Sequence, residues 1–191
     1  MSLNKTQRLL LLASVCWFFG EGLLGPLFTV FAERVGGDLL DITYAWALFL
    51  ITSGILYIFF GKLFSHSNRK KELLVLGYAL NTVFTFGYLL VHNSTQLFIL
   101  QILLAIAEAI CTPLWDAIFA KELDEKDDVF FWSVAGGHTH LVSGIAIAIG
   151  GLIAYYFSFE MLFILMGIIQ AIATFIQWRL LYIGSVPTTK V

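Results

Sequence analysis

What this sequence lacks most is charge. Of its 191 residues only 13% are Asp, Glu, Lys or Arg, about half the share of a soluble domain, while 59% are hydrophobic. A water-soluble core cannot absorb that much oil. Cutting the chain at its charge clusters leaves six apolar runs, at 9–31, 44–64, 73–91, 97–119, 129–157 and 159–183. Each reaches the roughly 20 helical residues that cross a ~30 Å hydrocarbon layer at ~1.5 Å per residue. The expected fold is therefore all-α: a polytopic membrane protein with six transmembrane helices in one domain over residues 1–191, with almost nothing left for a soluble domain.

Other absences narrow the function. Only two cysteines occur, Cys16 and Cys111, both inside expected spans, so they read as small hydrophobes and not as a disulfide framework. With a net charge of −2 and no broad basic surface, nothing invites nucleic acid. There is no His-Glu-x2-His, no Gly-x-Ser-x-Gly and no Gly-rich phosphate loop, so neither an enzyme nor a cofactor is expected. His138 and His140 are two apart, which on a helix sends them to different faces, so no metal site is expected. The first run lacks a small-residue cleavage site and carries Glu21 at its middle; it reads as a retained span, not a secretory signal. No Lys or Arg lies deep in any span. A cavity between such helices offers no fixed cation to an anionic solute, which favours a neutral or cationic one.

The basic residues that are present sit almost all on one side. With the N-terminus inside, that side holds Lys5, Arg8, Lys62, Arg69, Lys70, Lys71, Lys121, Lys126, Arg179 and Lys190, ten of the eleven, leaving only Arg34 outside. The positive-inside rule then places both termini in the cytoplasm of a plasma (inner) membrane protein, and the carboxylates at 121–128 count little against it.

Two acids interrupt the oil. Glu21 and Glu108 lie near the centres of the first and fourth runs, where a charge costs roughly 2.5–3.5 kcal/mol, so an idle carboxylate is disfavoured and proton coupling becomes the leading reading. The alternative is a protonated glutamic acid that pins helix packing against a backbone carbonyl, Asn81 or Gln170. Around each acid runs a polar and aromatic stripe at steps of three or four: Ser14, Trp17, Glu21, Gly25 and Phe28 on the first helix; Gln101, Glu108, Thr112 and Trp115 or Asp116 on the fourth. For the tryptophans the competing reading is interfacial anchoring, which suits Trp46, Trp132 and Trp178 better. Asp116 lies about two turns from Glu108, and His138 enters the fifth span from the same side, so the two are expected as a gate pair; polar packing is the competing role for the histidine. In the fifth span Gly144 with Ala148, and Ala146 with Gly150, form two small-x3-small pairs that permit close helix approach, within the chain or between chains.

The chain also matches itself. An offset of 87 puts Glu21 on Glu108, Pro26 on Pro113 and Leu27 on Leu114; an offset of 90 puts Ser53-Gly54-Ile55 on Ser143-Gly144-Ile145, Gly61 on Gly151 and Gly77 on Gly167. The expected repeats cover about 1–92 and 93–191. Three spans per unit make the second inverted relative to the first, as in secondary transporters.

The loop Gly61-Lys62-Leu63-Phe64-Ser65-His66-Ser67-Asn68-Arg69-Lys70 resembles the signature G-x-L-A-D-R-x-G-R-[KR] of major facilitator superfamily carriers, matching at Gly61, Leu63, Arg69 and Lys70. Ser65 stands where the family usually has Asp, and Asn68 where it has Gly. Gly150-Gly151 is similar to the end of the family's antiporter motif, without its Gly-Pro. The resemblance implies a six-helix half of a twelve-helix carrier, completed by a second copy as a parallel homodimer in the bilayer and moving a small molecule with protons by alternating access. It implies that the stripes of Ser14, Trp17, Gly25, Phe28, Gln101, Thr112 and Trp115 face the substrate and that Glu21 and Glu108 couple protons. By the same resemblance Gly61, Arg69 and Lys70 join Asp116 and His138 in a cytoplasmic gate, and Gly144, Ala148, Gly150 and Gly151 pack against the partner copy. A heterodimeric half-carrier and a non-transporting assembly subunit are the alternatives.

Overall fold

A computed structural model describes residues 3–123 and 128–183; Lys126 with the centre of the acidic loop, and the tail that holds Lys190, lie outside the described residues. Helix α1 spans Lys5–Leu24, α2 Leu27–Arg34, α3 Leu39–Phe64, α4 Lys70–Phe86, α5 Ser94–Lys121, α6 Asp128–Tyr156 and α7 Phe159–Trp178. Short 3-10 turns, Gly87–Leu90 and Arg179–Tyr182, extend α4 and α7. No strand occurs among the described residues, and six helices are long and apolar enough to cross a membrane.

The helix starts follow from local chemistry. The orphan N–H groups of a first turn need acceptors, and Asn4, Asp38, Asn93 and Ser158 each accept from the amide three residues on. At Asn4 the cap is reciprocal: its side chain accepts from Gln7 N at 2.8 Å, and Gln7 Oε1 accepts from Asn4 N at 2.8 Å. The expected continuous first span, 9–31, is corrected here. Gly25 turns to φ +32°, Pro26 has no N–H to continue the ladder, and the chain restarts as the separate helix α2.

Over half of the apolar stretch of α1 and of α5 is buried, against none of that of α3 and about a tenth of α6. The first and fourth spans therefore form the centre, and the second and fifth stand at the outside. The main interfaces are α3 on α5, α1 on α6, α1 on α7, α4 on α5 and α4 on α7. Exchanging the first three spans for the last three returns the same five pairs. The glycines agree with that exchange: a Cβ on Gly77 would meet Cys111 Sγ and one on Gly167 would meet the Phe86 ring, whereas Gly54 and Gly144 face open space.

Two apolar cores lie at opposite ends of the bundle. On the face where the chain begins, Leu10, Tyr78, Phe119 and Leu180 belong to one; on the other face Phe31, Tyr88, Phe159 and Phe163 belong to the second, with Tyr88 and Phe163 stacked at 5.0 Å. Between them the packing opens.

Candidate functional site

Two chambers sit one above the other along α1 and α5. The first, on the amino-terminal face, has a volume of about 270 Å³ and is walled by Trp17, Trp115 and Trp132, with Ser14, Thr112, Asp116, His138 and Thr139 among its polar groups. The second, toward the other face, has about 330 Å³ and contains Glu21, Glu108, Asn81 and Gln101 together with Phe28, Trp46 and Phe49. The boundary falls within one turn on three helices: Trp17 and Tyr78 line the first chamber while Glu21 and Asn81 line the second, and Glu108 and Thr112 divide in the same way on α5.

The two sequence stripes thus do line cavities, but each is split between two of them. Ser14, Trp17, Thr112 and Trp115 border the tryptophan chamber; Gly25, Phe28 and Gln101 border the glutamate chamber. Glu21 has an exposed side chain although it lies within α1, because its accessible surface opens into the glutamate chamber. Glu108 is half-buried, and its Oε2 accepts from Ser53 Oγ at 3.0 Å across the α3–α5 interface. Two carboxylates that share one chamber repel when both are ionised. Of the amides set against these acids as packing partners, Gln170 instead donates from Nε2 to the Trp17 carbonyl at 3.1 Å, with Gly20 leaving the space for it. Asn81 shares the chamber with both acids, and Gln101 Nε2 donates to Tyr88 Oη at 3.1 Å.

Asp116 and His138 border the same chamber without pairing. Asp116 Oδ2 accepts from Tyr57 Oη at 2.9 Å, and the His138 ring lies 2.8 Å from Ser14 Oγ and 3.0 Å from the Val134 carbonyl. Trp115 is held by its Nε1, which donates to the Leu10 carbonyl at 3.3 Å, and its ring stacks on Phe119 at 4.7 Å. At the α3–α4 loop, Gly61 and Lys70 border a small groove against Pro113, while Arg69 is exposed and its amide donates to Ser67 Oγ at 3.1 Å. Ser65, which replaces the family's Asp, is exposed and donates to the Lys62 carbonyl at 2.9 Å.

The small residues of α6 divide between two faces. A Cβ on Gly150 would run into the Leu23 carbonyl, and Ala146 abuts Gly22, so this pair seats α6 on α1 of its own chain. Gly150 therefore does not belong to the outward packing face that the sequence led us to expect; a glycine is needed there for the close approach of two backbones of the same chain. Gly144, Gly151 and the exposed Ala148 lie open. Sequence reasoning missed Ser53 and Tyr57, whose hydroxyls reach Glu108 and Asp116 from α3. Ser53 and Tyr57 lie four apart on one face of α3, and Glu108 and Asp116 eight apart on one face of α5, so a stripe of hydroxyls on one helix and of carboxylates on the other was the available signal.

Six apolar helices packed around stacked, partly polar chambers have the architecture of a polytopic membrane protein. Residues 10–191 match the Major Facilitator Superfamily, and the chain belongs to that family; it is a membrane transporter of this type. It is 22% identical over 152 residues to the uncharacterized MFS-type transporter YitZ of Bacillus subtilis (strain 168), a match covering 76% of this chain and 88% of that protein. Its fold also superposes, with a TM-score of 0.70 and 15% identity, on the in meso crystal structure of the POT family transporter PepTSo. That match takes in the whole of this chain and 40% of PepTSo, so the chain spans less than half of that transporter.

Proposed function

We propose that this protein is a proton-coupled secondary transporter of a small neutral or cationic solute, working by alternating access as a parallel homodimer in which each copy is one half of a twelve-helix carrier. The observation that carries the reading is the glutamate chamber: two carboxyls from the two central helices share one cavity at mid-span, with Glu21 accessible within it. Idle charge at that depth is costly, and a carboxyl pair that gains or loses a proton with solute and access is what coupling requires. No Lys or Arg lines either chamber, which supports a solute that is not an anion.

The second copy is supported by the outer helices. The outward faces of α3 and α6 are apolar and uncovered, including Ile51, Ile55, Ile58 and Leu141, Ile145, Leu152. On α6 the open residues Gly144, Ala148 and Gly151 follow one another at three- and four-residue steps, the pattern of a close helix contact. The exchange symmetry of the interfaces supports an inverted repeat of three spans, and the basic residues support cytoplasmic termini at a plasma membrane.

Uptake into proteoliposomes under an imposed pH gradient tests the function, with the solute found by a thermal-shift screen of sugars, nucleosides, amines and lipophilic cations. Gradient-driven uptake that disappears in both Glu21→Gln and Glu108→Gln supports the assignment; coupled uptake intact in both variants refutes it. Cysteine crosslinking between α3 and α6 of separate copies in native membranes tests the homodimer.

A further inference from the structure

We propose that Asn81 contacts solute in the glutamate chamber, its amide selecting organic ammonium compounds that also carry an acceptor oxygen, a role that rests on the carrier reading above and narrows its solute class. One polar atom of the chamber is left over. Asn81 is 3% exposed, lines the chamber together with Glu21 and Glu108, and its Nδ2 has no hydrogen-bond partner among the described residues. A buried amide hydrogen without an acceptor is penalised, because it has given up water for nothing. The neighbouring polar side chains of α4 are spent: Thr82 Oγ1 lies 2.8 Å from Thr174 Oγ1, and Thr85 Oγ1 donates to the Asn81 carbonyl at 2.7 Å. Gln170 Oε1 and the Nε2 and Oε1 of Gln177 also lack partners, but these residues border neither chamber. Only at Asn81 does the missing partner coincide with one of the two cavities.

The rest of the chamber defines what fits beside that amide. Glu108 Oε2 is met by Ser53 Oγ, and neither carboxyl reaches Asn81 Nδ2. Phe28, Trp46 and Phe49 also line the chamber, their successive ring centroids 5.7 and 5.6 Å apart. Carboxylates and aromatic faces attract the same kind of group, an organic cation. An amide N–H asks for something else, an oxygen that accepts. Tyr88 Oη, which lines the chamber as well, accepts from Gln101 Nε2 and keeps its own hydrogen to give. A solute that answers all of these carries an ammonium and an oxygen on one small frame. The volume of about 330 Å³ lies at the lower end of ligand pockets, which start near ~300 Å³, and so suits a compact amine.

Matched amines that differ by one oxygen test the assignment. The full chain in phosphatidylcholine/phosphatidylglycerol nanodiscs is titrated calorimetrically with ethanolamine against propylamine, choline against propyltrimethylammonium, and tyramine against phenethylamine. In at least one pair the oxygenated member should bind about tenfold more tightly, the effect of one buried hydrogen bond gained. Asn81→Leu should bring that ratio to within about twofold while the oxygen-free member binds as before, since only the donor is gone. Asn81→Ala, which removes the amide without adding bulk, should collapse the ratio in the same way and guards against misfolding of the leucine variant. Glu21→Gln should weaken both members alike and leave the ratio standing. Absence of binding in every pair, a ratio near one in the unmodified protein, or a ratio that survives both Asn81 variants overturns the proposal. So does equal loss of both members in the Asn81 variants, the mark of a structural role. The titration needs no transport: a lack of gradient-driven uptake would sink the carrier reading alone, and coupled uptake of a solute indifferent to Asn81→Leu would sink this assignment alone.

Discussion

The two chambers are made from the same helices and differ in what they can hold. The tryptophan chamber has three indole rings, one carboxylate and a histidine; the glutamate chamber has two carboxylates and two amides with aromatic rings at one side. Each carboxylate on α5 is met by a hydroxyl from α3, Glu108 by Ser53 and Asp116 by Tyr57. A helix with no buried stretch of its own is thus tied to the central helix at both chambers by polar bonds, in a medium where apolar contact with lipid and with protein are nearly equivalent.

The largest effect should come from the acids. Glu21→Gln or Glu108→Gln should reduce gradient-driven uptake to the level of empty liposomes, whereas Asp116→Asn should slow uptake without uncoupling it from the gradient. Equal loss of coupling in all three would erase the distinction between the chambers. Next is the seat of α6 on α1. Gly150→Val drives a side chain into the Leu23 backbone and should cost at least about 1–3 kcal/mol, read as a lowered unfolding temperature in detergent, while Gly144→Val, in open space, should stay within about 0.5 kcal/mol. Gly144→Val should instead weaken crosslinking between copies, which sharpens the division of α6 into an inner and an outer face.

Much of this was legible beforehand because bilayer physics is written in composition. Five of the six spans fall where the charge clusters place them, and the central helices are the two that carry acids. The break at Gly25-Pro26 was missed because an apolar run continues through it to Phe31: hydropathy registers oil, not a glycine at φ +32°. The split of each stripe into two chambers was not legible either. A helical stripe shows which residues share a face, but where the facing helices close, as at Trp17 and Tyr78 with ring centroids 4.7 Å apart, depends on packing between distant segments. Gly150 and Gly144 look alike in sequence, and only the approach of Leu23 tells them apart.

Smaller effects should follow the α3 ties. Ser53→Ala removes a half-buried bond to Glu108 and should cost about 1–2 kcal/mol; Tyr57→Phe, at an exposed hydroxyl, should cost less. Amide hydrogen exchange along α3 measures both, and faster exchange in Tyr57→Phe than in Ser53→Ala would show that the tryptophan chamber, not the glutamate chamber, anchors this helix.

The smallest effect is expected at Trp115. Its Nε1 donates to the Leu10 carbonyl over a long 3.3 Å, and Leu10 lies inside α1, where a carbonyl already accepts from the helix ladder. Removing the indole N–H therefore leaves no oxygen without a partner, only a second lone pair unused. Trp115→Phe keeps an aromatic ring against Phe119 and should lower stability by about 0.5–1 kcal/mol, seen as a small shift in unfolding temperature. Trp115→Leu removes the stack as well and should cost a further ~0.5–1.5 kcal/mol. If the tryptophan chamber contacts solute through this ring, Trp115→Phe should also weaken solute binding by more than its stability change accounts for; a binding constant that moves only with stability would leave Trp115 as a wall and shift solute contact to Trp17 and Trp132.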